Sequence, residues 1–74
     1  MFINDINAIM GMLRTPRAEV ARRLNIPAPN FTRTLNREYV KDTEAKEILS
    51  ALDIEASIVY KDKKTGETIY KSTL

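Results

Sequence analysis

TPRAEVARRLNIPAPNFTRTLNRE, residues 15–38, holds two short helix patterns joined by a turn. Thr15 followed by Pro16 reads as a helix start, because a threonine oxygen caps orphan N–H groups and proline at the first helical position has none to lose. The helix then runs to about Leu24, with Val20, Ala21 and Leu24 on one face and Glu19, Arg22 and Arg23 turned to water as surface charge. Asn25 suits the left-handed conformation that ends a helix, and Ile26 is expected to plug back into the core. Ala28 precedes Pro29, which disfavours helical dihedrals at 28 and predicts the next helix over about 29–36. On that helix only Phe31 and Leu35 are large and apolar. At ~100° per residue, Asn30, Arg33 and Arg37 fall on the opposite side.

Upstream, Ile6, Ile9, Met10 and Leu13 recur at helical spacing behind Asn4, a good cap, so a first helix is expected over about 5–13, weakened by Gly11. Downstream, Asp42 or Thr43 caps a fourth helix carrying Ala45, Ile48, Leu49 and Leu52. The period then changes. EASIVYK (55–61) and ETIYKST (67–73) alternate at period two around DKKTG, where Gly66 can take a positive φ, and predict a β-hairpin. The expected fold is α+β, mostly α: a single domain over 1–74, with a four-helix core over 1–53 and a hairpin over 55–73.

Composition agrees with one small globular domain: 74 residues, 43% hydrophobic, with mean hydropathy −0.33. Histidine and cysteine are both absent, which excludes disulfides, zinc-finger spacings, imidazole metal sites and Cys or Ser-His nucleophiles. No cofactor or metal is expected. Carboxylates remain, but no spacing pairs them in a cleft and there is no glycine-rich phosphate loop, so the chain is not expected to be an enzyme. With no long apolar run and no basic leader ahead of MFINDINAIM, neither a membrane span nor a secretion signal is expected, and the expected location is the cytoplasm.

The net charge of +2 is unevenly spread. Residues 1–41 hold seven cations, including all six arginines, against three acids, whereas residues 42–74 hold five lysines against seven acids. Arginine matches phosphate and guanine edges best, so an arginine-only basic half points toward nucleic acid, with a merely solvated basic surface as the alternative. Helix, short turn, helix, with a second helix that keeps a minimal apolar face, is the sequence pattern of a helix-turn-helix. A recognition helix must anchor its back while presenting a solvated face to the major groove, and the 29–36 pattern meets that demand.

At this level the residues resemble a family. From Thr15 to Glu55, TPRAEVARRLNIPAPNFTRTLNREYVKDTEAKEILSALDIE is similar to the Cro/repressor-type (XRE-like) helix-turn-helix domains of bacteria and phages, which are lambda-repressor-like in fold. Asn30–Phe31, Leu35 with Arg37, and the continuation IVYKDKKTGE (58–67) resemble a subgroup of small XRE-like proteins with a C-terminal hairpin. The resemblance implies a homodimeric transcriptional regulator, a repressor above all, binding a palindromic double-stranded DNA operator with the helix at about 29–36 in the major groove. Position by position, Arg17 stands where the family usually has a glutamine contacting phosphate or base, and Asn30 and Arg33 stand at base-reading positions. Pro27 and Pro29 occupy positions often held by Ser or Gln, and Asn25 replaces the usual turn glycine, so base readout is expected to fall on Arg17, Asn30 and Arg33.

Each assignment has a plainer alternative. Arg33 can read guanine with both arms or only touch phosphate, and Asn30 can meet adenine or bond locally. Arg14, Thr32, Thr34, Arg37 and Lys41 are the expected phosphate contacts, although long cations at helix ends are often only solvated. Two isolated strands are marginal in water, so the hairpin must pack on the helices, pair with another chain, or both. Edge-to-edge pairing in a C2 dimer would use Ile58, Tyr60, Ile69 and Tyr70, and would turn the acidic fourth helix and the hairpin away from DNA. The alternatives are a hairpin that only covers its own core and, for the whole chain, a phage or mobile-element module that inhibits or bridges a partner protein. Tyr60 and Tyr70 are expected to pack rather than stack on bases.

Overall fold

In the computed structural model, which describes residues 1–74, four helices precede a two-stranded antiparallel hairpin: α1 (Ile3–Met12), α2 (Arg17–Leu24), α3 (Ala28–Leu35), α4 (Asp42–Ala51), β1 (Ser57–Lys61) and β2 (Thr68–Thr73). No helix is long and apolar enough to cross a membrane. The helices close on one core whose largest fully buried side chains are Phe31, Ile6, Leu49, Val20 and Val40. No charged or polar residue is buried in it. Helix α2 packs against both α3 and α4. Arg23 also donates from Nη1 to the Ala51 carbonyl at 3.0 Å, placing a cation at the negative end of α4.

Three helices end in the same way, and none of them uses glycine. Arg14 (φ 53°), Asn25 (φ 57°) and Asp53 (φ 57°) are left-handed, and the residue after each donates its N–H back across the last turn: Thr15 to Met10, Ile26 to Ala21, and Ile54 to Leu49, at 2.8–3.0 Å. Asparagine at 25 therefore acts as expected.

The helix starts differ from the sequence reading. Helix α1 begins at Ile3 rather than near residue 5, with Asn4 inside it, because residues 1–3 are tied to 38–40: Ile3 N–H donates to Glu38 O and Val40 N–H to Met1 O, both at 3.0 Å. The core stripe is therefore Ile3, Ile6 and Met10, and Leu13, expected inside, is exposed beyond the helix end. Pro16 rather than Thr15 caps α2; the Thr15 hydroxyl instead donates to the Leu13 carbonyl at 3.4 Å. Helix α3 starts one residue before the expected Pro29, at Ala28. The Pro27 carbonyl accepts from Asn30 and Phe31 at 3.0 and 3.2 Å, and the first-turn positions 28 and 29 need no N–H partner. Neither Asp42 nor Thr43 caps α4. Lys41 holds that position, its carbonyl accepts from Ala45 N–H at 2.9 Å, and Asp42 and Glu44 complement the dipole from the first turn. Ile26 does not enter the core: it lies 38% exposed at the rim of a cleft that it lines with Leu24, Phe31 and Ile48.

The hairpin begins two residues later than expected in β1 and one later in β2. Its register pairs Ser57 with Thr73, Ile58 with Ser72, Val59 with Lys71, Tyr60 with Tyr70 and Lys61 with Thr68, leaving Ile69 as an extra bulged residue. In the turn, Asp62 Oδ1 accepts the N–H groups of Lys64 and Thr65 at 2.7 and 3.2 Å, while Gly66 takes φ 75°. The hairpin does not cover its own core. Apart from the half-buried Ser72, both strands are exposed on both faces, and the molecule is elongated at 46 × 22 × 20 Å.

Phe31→Ala removes the largest fully buried side chain and the principal anchor of α3. The expected loss is about 3–5 kcal/mol, read as a lowered urea midpoint at unchanged slope.

Candidate nucleic-acid interface

Helix α3 buries Phe31 and Leu35 and turns Pro29, Asn30, Arg33 and Asn36 to solvent. Arg33 Nη2 donates to Asn30 Oδ1 one turn back, so two of the three residues expected to read bases form one exposed polar unit. That bond uses one of five guanidinium N–H groups and leaves the others directed to solvent. Thr32 and Thr34 are half-buried. The Thr34 hydroxyl donates to the Asn30 carbonyl at 3.3 Å and faces the Ile26 cleft with Glu44 and Glu47, which places it beside acids rather than among the cations.

The remaining cations fall into two groups. Arg14, in the α1–α2 link, and Arg17, the first residue of α2, flank a shallow depression with Asn7, Gly11, Thr15 and Pro16. Arg37, just past α3, lies 3.5 Å from Glu44 of α4, and Lys41 is exposed at the start of α4. Among the expected site residues only Arg33 and Asn30 are joined side chain to side chain by a hydrogen bond. Arg17 stands with Arg14 in the depression between α1 and α2 rather than with the α3 pair.

A feature not drawn from the sequence is that one carboxylate on α2 engages two of its three arginines. Glu19 accepts from Arg22 Nη2 at 2.5 Å and from Arg23 Nε at 3.0 Å, the i+3 and i+4 neighbours on the same helix face. Those hydrogen bonds hold the Glu19 carboxyl at about 2, well below its ordinary 4.5, and keep Arg22 above its ordinary value. The spacing was visible in the sequence; the pairing is its consequence. With Arg37 on Glu44, three of the six arginines have carboxylate partners, and Arg14, Arg17 and Arg33 have none.

In the hairpin, Tyr60 and Tyr70 pair across the strands with centroids 6.1 Å apart and planes tilted by 53°, and Ile58, Tyr60, Ile69 and Tyr70 are all exposed. A second aromatic pair that the sequence did not reveal, Phe2 edge-on to Tyr39 at 5.5 Å, marks the junction of the first residues with the α3–α4 link. The chain matches no family model, no curated protein and no solved structure.

Because the Glu19 carboxyl is depressed in the fold, its contribution to stability is complete above about pH 4.5 and falls away as pH drops toward 2. Glu19→Gln is expected to flatten the thermal-stability profile between those values and to leave the neutral-pH fold intact, as measured by circular dichroism melts.

Proposed function

We propose that this protein binds double-stranded DNA as a dimeric transcriptional regulator of the helix-turn-helix type, with α3 in the major groove. The observation that carries the reading is the distribution of unpaired arginine: of the six, only Arg14, Arg17 and Arg33 lack a carboxylate partner, and Arg33 stands on the solvated face of α3. Support also comes from α2, a three-residue turn and α3, with Asn25 left-handed at the first helix end. In this reading Asn30 and Arg33 meet base edges, Arg14 and Arg17 meet the sugar-phosphate backbone, and Arg37, whose Nη1 lies 3.5 Å from Glu44, keeps its other N–H groups for phosphate.

The second copy pairs through the hairpin. Ile58, Tyr60 and Tyr70 share one ladder face and stay 43%, 54% and 62% exposed in the single chain, and burying the rest against a symmetry mate removes that apolar area from water. Such a dimer sets two α3 helices against half-sites about 34 Å apart.

Anisotropy titration of a random duplex pool at low and near-physiological salt, with sequencing of the bound fraction, tests the reading. A steep salt dependence with an enriched palindrome is expected; no binding at low salt overturns it in favour of a partner-protein module. Arg33→Ala is expected to cost about 1–3 kcal/mol on the enriched site and to relax preference at one base pair. Replacing Tyr60 and Tyr70 together by threonine keeps strand propensity, removes the aromatic area, and is expected to shift the mass in light scattering from dimer to monomer.

A further inference from the structure

The negative charge of the second half of the chain is not shared by the hairpin. Residues 42–56 carry five acids against Lys46, whereas residues 57–73 carry Lys61, Lys63, Lys64 and Lys71 against Asp62 and Glu67. Asp62 is engaged in the turn, where its carboxylate accepts two backbone N–H groups. None of the four lysines has a carboxylate partner, while the other half of the molecule pairs arginine with acid repeatedly.

The register sorts these residues by face. Ile58, Tyr60, Tyr70 and Ser72 lie on one side; Lys61 and Lys71 lie on the other with Ser57, Val59, Thr68 and Thr73, and Lys63 and Lys64 extend the cationic run to the tip. One ribbon thus has an aromatic face and a lysine–hydroxyl face, both in solvent. Two-stranded ribbons have the width to enter a major groove, and lysine and threonine are donors to phosphate oxygens.

We propose that the lysine face of the hairpin is a second duplex-binding surface, which grips the DNA sugar-phosphate backbone through Lys61 and Lys71 and, at its tip, Lys63 and Lys64. Charge complementarity selects the occupant: a dense line of phosphates matches four unpaired cations on a projecting ribbon. The surface carries no base readout, so it adds affinity and salt dependence without sequence preference. It rests on the DNA-binding reading, departs from the expectation that the dimer turns the hairpin away from DNA, and uses the face opposite the tyrosines, so copy pairing and backbone binding occupy different faces of the ribbon.

The test is the slope of log affinity against log salt on a fixed duplex, for the full chain and for two double variants, Lys61→Gln with Lys71→Gln in the strands and Lys63→Gln with Lys64→Gln in the turn. Lys46→Gln on α4 is the control for bulk charge. A lysine that neutralises one phosphate adds about 0.9 to the magnitude of the slope, so each hairpin substitution is expected to lower it by about that amount, with the sequence preference unchanged and Lys46→Gln without effect. The turn variants leave the strand ladder untouched, so a fall in slope there is not a folding defect. Wild-type slopes in both double variants, alongside a weakened Arg33→Ala, overturn the hairpin proposal and leave the groove reading standing; an equal fall in Lys46→Gln overturns it as bulk charge. Absence of duplex binding by the unaltered chain at low salt overturns both.

Discussion

Everything on the exposed side of α3 depends on how Phe31 is held. An eight-residue helix with two proline-flanked first positions has little stability of its own, and only Phe31 and Leu35 tie it to the core. Two anchors four residues apart fix the rotation of the helix about its axis, and that rotation alone sends Asn30 and Arg33 outward. A third large apolar residue would hold α3 more firmly, but it would take area from the solvated face.

The helices are short, so their ends matter as much as their middles. Arg14, Asn25 and Asp53 each adopt a left-handed conformation that glycine adopts with less strain, and each closes its helix with a back-bond across the last turn. At Arg14 this places a free guanidinium at the mouth of the α1–α2 depression, where a glycine would leave none. At Asn25 it makes the α2–α3 link three residues long, which leaves no slack for α3 to swing relative to α2.

Charge is organised by pairing more than by number. The +2 net charge says little. Glu19 and Glu44 draw Arg22, Arg23 and Arg37 into ion pairs, and the cations left without a carboxylate partner are Arg14, Arg17 and Arg33, Lys41 and Lys46, and the four hairpin lysines. Exposed pairs of this kind add little to stability, but they determine which cations are free for an anionic partner. The functional reading rests on that sorting.

Local patterns in the chain account for the number, order and kind of elements, the apolar stripes of α2, α3 and α4, the left-handed Asn25 and the positive φ at Gly66. Each follows from local periodicity or from the conformational range of a single residue. Site legibility was similar in kind: the outward turn of Asn30 and Arg33 was visible because it needs only the helix period and two apolar positions. Tertiary structure alone decided the start of α1, because the pairing of residues 1–3 with 38–40 joins segments far apart in the chain. It also decided the position of Ile26 at the rim of its cleft, the partnering of Arg37 with Glu44 and of Arg23 with the end of α4, and the uncovered hairpin. Those features depend on which surfaces the folded chain brings together, and no local rule of spacing or propensity encodes that.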